Sequence, residues 1–126
     1  MPPQLNIEHI KALLISSPLI SSWQIMIADE TARRALYKIR CQLLRSAYRL
    51  EIRLIQTEDE LLYSYQLFTN RPLLRWDNAP HFPAIQSFPH HQHQESEEVA
   101  ESFLSGDPSL DLPYILDQIR TCLTQP

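Results

Sequence analysis

Apolar residues Ile7, Ile10, Leu13 and Leu14 recur at helical spacing ahead of Ser16-Ser17-Pro18, which predicts a short amphipathic helix over Leu5 to Ser16. From Ser22 the period drops to two. Trp23, Ile25 and Ile27 alternate with Gln24, Met26 and Ala28, and Asp29-Glu30-Thr31 then turns the chain. Tyr37, Ile39, Cys41 and Leu43 share one face of a second strand; Tyr48, Leu50, Ile52 and Leu54 share one face of a third. A fourth runs from Leu61 to Phe68 with Tyr63, Tyr65 and Leu67 together, and a short fifth lies near Leu73 to Trp76. The links are too short for parallel crossovers, so the strands form an antiparallel meander. Lys38, Arg40, Arg49, Glu51 and Arg53 fall on the face opposite the apolar one, as in a sheet covered on one side only.

Pro80, Pro83 and Pro89 rule out regular structure between Asn78 and Pro89, and the acidic stretch near 92–109 reads as a mobile polar segment. Beyond it Leu112, Ile115, Leu116, Ile119, Cys122 and Leu123 return to helical spacing, with Asp111 as N-cap. The expected fold is α+β: a two-layer sandwich, an antiparallel β-meander of about five strands with N- and C-terminal helices on one face. One domain over residues 1–126 accounts for the whole length.

Composition narrows the function. A single glycine, Gly106, excludes the Walker loop and the Gly-rich dinucleotide fingerprint, which need several close backbone approaches to phosphate. A net charge of -4 speaks against a protein that coats nucleic acid generally. No apolar run nears the ~20 residues that cross a bilayer, and Met1-Pro2-Pro3-Gln4 has no leader-like features, so a cytoplasmic protein with no membrane contact is expected. Cys41 and Cys122 lack partners at metal-ligand spacing and read as free thiols.

Four of the five histidines, His81, His90, His91 and His93, lie in or beside the proline-rich segment, just after Asp77 and Asn78. Three readings compete: a solvated loop, a metal site, and acid–base catalysis. The spacing matches no zinc-finger or His-Glu-x-x-His pattern, whereas two imidazoles titrating near neutrality can act as base and acid in one turnover. Arg40, Arg53 and Arg75 would share the open face if the fifth strand pairs in the right register, and guanidinium groups there suit a phosphate.

Tyr63-Ser64-Tyr65, then Arg75-Trp76-Asp77-Asn78-Ala79-Pro80-His81-Phe82-Pro83, then Phe88-Pro89-His90-His91-Gln92-His93 resembles the signature of TumE-type toxins. In that family an aromatic-rich strand precedes an Arg-Tyr-Asp-Asn-Ala-Pro-His-His-Pro stretch, and Phe-Pro-His-His-Lys-His follows. Here Trp76 replaces the tyrosine, Phe82 the second histidine and Gln92 the lysine. The resemblance implies a toxin encoded beside an antitoxin, its adjacent-gene partner; it fixes biological context rather than reaction. From the residues, the expected centre is a metal-independent endoribonuclease with no cofactor and no metal. His90 or His91 acts as base and His81 or His93 as acid, and Asp77 fixes an imidazole tautomer. Arg75, with Arg53, Arg40 and Asn78, holds the RNA phosphate. The alternative is a non-catalytic interaction protein or regulatory partner that binds its antitoxin or a cellular target.

Overall fold

The computed structural model describes residues 3–124; Met1 and Pro2, part of the stretch without leader-like features, lie outside them. The elements are α1 (Ile7–Ser16), β1 (Ile20–Glu30), β2 (Ala35–Leu43), β3 (Arg49–Gln56), β4 (Leu61–Phe68), β5 (Pro72–Asp77), β6 (His91–His93), β7 (Val99–Glu101) and α2 (Pro108–Thr124). The seven strands form one sheet in sequence order, every pair antiparallel.

The alternation in the sequence sets the faces. Ile39 and Cys41 from β2, Leu50, Ile52 and Leu54 from β3, and Tyr65 and Leu67 from β4 are fully buried on one side of the sheet. They form one core with Ile10 and Leu14 of α1 and Leu112, Ile115 and Ile119 of α2. Each such side chain contributes about 1.5–3 kcal/mol on leaving water, so this layer carries most of the stability. Two hairpins turn without glycine by the same device. The Thr31 hydroxyl accepts from the Arg33 and Arg34 amides, and the Thr57 hydroxyl accepts from those of Asp59 and Glu60. A threonine hydroxyl thus does locally what a positive-φ residue does elsewhere.

Two expectations need correction. The described residues form seven strands rather than about five, because the polar stretch expected to be a mobile linker carries most of β6 and all of β7 and buries Ser102 and Leu104. Asp111 is not the N-cap of α2. The helix starts one turn earlier with Pro108, a residue favoured at the first helical position because its missing N–H would be unpaired there anyway. Asp107 caps it by accepting from the Ser109 amide at 3.0 Å. Asp111 instead points back from the first turn. Its carboxylate accepts from the Ser105 amide and hydroxyl and from the Gly106 amide, all at 2.8–2.9 Å. Gly106 has φ +96°, and a Cβ there would sit 3.1 Å from His90 Cε1. The one glycine therefore stands where the backbone turns left-handed against a histidine ring.

Candidate functional site

The site is assembled by register on the open face. Lys38, Arg53, Ser64, Asp77 and His91 are successive partners across β2 to β6. Arg40, Glu51, Gln66, Arg75 and His93 form the neighbouring row. Adjacent strands lie about 4.8 Å apart, so members of the two rows on neighbouring strands can touch: Lys38 of β2 meets Glu51 of β3 at 3.0 Å, and the β5 and β6 members meet one another. Arg75 Nε donates to Asp77 Oδ2 at 2.9 Å, and Arg75 Nη2 donates to His93 Nε2 at 2.9 Å. His91 Nε2 lies 2.8 Å from Asp77 Oδ1 and 3.1 Å from His93 Nε2. The Ala79 amide donates to Asp77 Oδ1, and His91 Nδ1 donates to the Pro89 carbonyl at 3.0 Å. Asp77 and His91 are buried, His93 is partly open and Arg75 is 40 % exposed.

The hydrogen-bond network assigns the protons. Arg75 can only donate, so His93 Nε2 accepts and the ring is neutral. Burial, with the Arg75 guanidinium next in weight, pushes the His93 imidazole below its ordinary 6.5. The 3.5 Å approach of His93 Nε2 to Asp77 Oδ2 is then no ion pair, since both atoms carry lone pairs. His91 bonds at both nitrogens. Nδ1 faces the Pro89 carbonyl, and Nε2 faces Asp77 Oδ1 and His93 Nε2. Phe82 covers the cluster, its ring 4.9 Å from that of His91 and 5.8 Å from that of His93.

Beside the cluster a cleft of about 570 Å³ opens between β3, β4, β5 and the proline-rich segment. Arg53, Ser64, Arg75, Asp77, His81 and His93 line it. The register that the sequence left open therefore brings Arg53 and Arg75 to one cavity. Arg40 shares the face but stands three strands from β5, paired with Glu51 at 3.7 Å and over the Phe68 ring. His81 is on the cleft wall, apart from the buried cluster. His90 points to the helix side of the sheet, where Nδ1 bonds the Tyr63 hydroxyl at 2.8 Å beside Gly106. Strand alternation separates it from His91: adjacent residues leave a sheet on opposite faces. Asn78 has both ends of its amide engaged with β4, accepting from the Tyr63 amide and donating to the Leu61 carbonyl. It prolongs the β4–β5 pairing, and the residue lines the cleft with its side-chain amide so engaged. Ser64 was missed, although its place opposite Asp77 follows from alternation. Phe82 was noted only as a departure, and nothing in the sequence tells that its ring closes over the imidazoles.

Asp77, His91 and His93 each offer a ligand atom, and these atoms lie within 4.8 Å of one another. The sequence reading expected a centre without metal; this donor set is of a kind that can hold one. Among the described residues no helix is long and apolar enough to cross a membrane.

No curated protein and no solved structure matches the chain. Residues 10–122, from the first buried residue of α1 to the last turn of α2, match the profile of the family described as Toxin TumE, and the chain belongs to that family.

Proposed function

We propose that the protein is the toxin of a toxin–antitoxin pair and acts as an endoribonuclease at the cleft between β3, β4 and β5. The observation that carries this reading is the meeting of the Arg75 guanidinium with two imidazoles, His81 and His93, on the walls of one cavity. Internal cleavage of RNA joins the 2′-oxygen to phosphorus and breaks the bond to the 5′-oxygen. A proton leaves the first oxygen and one reaches the second, while negative charge builds on the phosphoryl oxygens. Positioned cations and proton-transfer groups lower that barrier. Arg75, half in solvent, and Arg53 across the cleft suit the phosphoryl oxygens. The cluster behind them supplies the chemistry.

Purified protein should cut RNA to give 2′,3′-cyclic phosphate and 5′-hydroxyl ends. H93A should lower the rate by about 10²–10⁴-fold, the usual worth of a positioned catalytic group. The family context adds a small antitoxin from the adjacent gene as partner. H91A/H93A should abolish growth arrest while still co-purifying with that antitoxin. A folded double variant that remains toxic, or wild-type protein that cuts no RNA, would pass the case to the non-catalytic interaction reading.

A further inference from the structure

We infer that Asp77, His91 and His93 form a binding site for a divalent first-row transition metal, zinc-like in its ligand preference, with Arg75 occupying its place in the metal-free protein. The use of such an ion in RNA cleavage rests on the function proposed above; the binding does not.

Three observations converge. The ligand atoms of the three residues lie within 4.8 Å of one another, and the two imidazole Nε2 atoms are 3.1 Å apart. Two imidazole nitrogens and one carboxylate form a set that suits zinc, iron or manganese, and three protein ligands leave positions open toward the cleft. Second, the ligands are oriented from behind. His91 Nδ1 donates to the Pro89 carbonyl and the Ala79 amide holds Asp77 Oδ1, the outer contacts that fix the tautomer and rotamer of metal ligands. A neutral His91 so held directs its Nε2 lone pair at the other two ligand atoms. Third, lone pairs facing one point repel one another unless positive charge lies between them. In the metal-free protein Arg75 supplies such charge, its Nε and Nη2 resting on Asp77 Oδ2 and His93 Nε2. The Arg75 side chain is 40 % exposed. It can turn into the cleft when an ion takes its place, which would free its guanidinium for phosphate.

The test is titration of chelator-treated protein with Zn²⁺ by calorimetry and with Co²⁺ by visible absorption. One equivalent should bind, and Co²⁺ should give the d–d bands of a low-coordinate nitrogen–oxygen site. D77N retains every histidine, so it separates a built site from general stickiness of a histidine-rich segment. D77N should lose at least the about 10–100-fold in affinity that disrupting even an outer contact costs. H93Q, altered at the most open ligand, serves if D77N fails to fold by circular dichroism, and H9A should bind as wild type. F82H, which substitutes an imidazole for the phenyl ring that lies 4.9 Å from that of His91, should bind more tightly. Absence of stoichiometric binding to wild type, or undiminished binding to the folded ligand variants, would overturn the site. RNA cleavage that persists in EDTA would remove the metal's role and leave the endoribonuclease standing. Metal bound at the site with no RNA cut would do the reverse.

Discussion

Tyr65 is fully buried on the core side of β4, and its hydroxyl has no hydrogen-bond partner among the described residues. Burial raises its phenol well above the ordinary 10, with the negative charge of Asp111 next in weight, and the phenol of Tyr63 is raised chiefly by burial as well. A raised pKa in the folded state means that the unfolded chain gives up these protons first. The stability held by the neutral phenols is therefore complete below pH 10 and falls as pH rises through 10 and beyond. Denaturant titrations across that range should show the decline, with phenolate absorbance from these two rings appearing only on unfolding. Y65F should be neutral or stabilising at pH 7, because it removes an unpaired buried hydroxyl, and it should flatten the alkaline decline. That these tyrosines were core residues could be read from their alternate positions. That one hydroxyl would meet His90 and the other nothing could not, since it depends on how the segment after Pro89 crosses the helix side of β4.

The long elements were legible in the sequence because their periods repeat several times. β2, β3 and β4 show the alternating burial that their apolar residues foretell. β6 and β7 have three residues each, too few for any period, and β6 reads His91-Gln92-His93 with no apolar residue at all. Pairing with β5, rather than its own composition, makes it a strand. The same limit applied to the site. Asp77, His91 and His93 could be proposed as residue types, but only the β5–β6 register puts Asp77 opposite His91 and Arg75 opposite His93. The start of α2 gives a test at this scale. D107A removes an N-cap and should cost about 0.5–2 kcal/mol. D111A strands the buried Gly106 amide and unties the Ser105 turn, so it should cost more, about 1–3 kcal/mol for each donor left unpaired. Urea unfolding of the two variants measures the difference. Equal losses would mean that the cap, not the strap to residues 105 and 106, secures α2.

Across the whole molecule, strands bond only to their neighbours in sequence, while α1 meets α2 through contacts such as His9 Nδ1 to Ser109 Oγ. Hairpins close short loops, and the helix pair closes a long one, with a larger entropy cost. The sheet should therefore be ordered in the folding transition state ahead of α2. I52V should mainly slow folding and I115V should mainly speed unfolding, as stopped-flow chevrons would show. The same serial order has a meaning for a chain made from its N-terminus on the ribosome. A nascent chain reaching only residue 90 possesses β1 to β5 with Arg75 and Asp77, yet neither His91 nor His93. The Asp77, His91 and His93 cluster is incomplete until β6 has been synthesised. Under the function proposed above, an antitoxin that recognises the early strands is in place on the growing chain before that cluster exists.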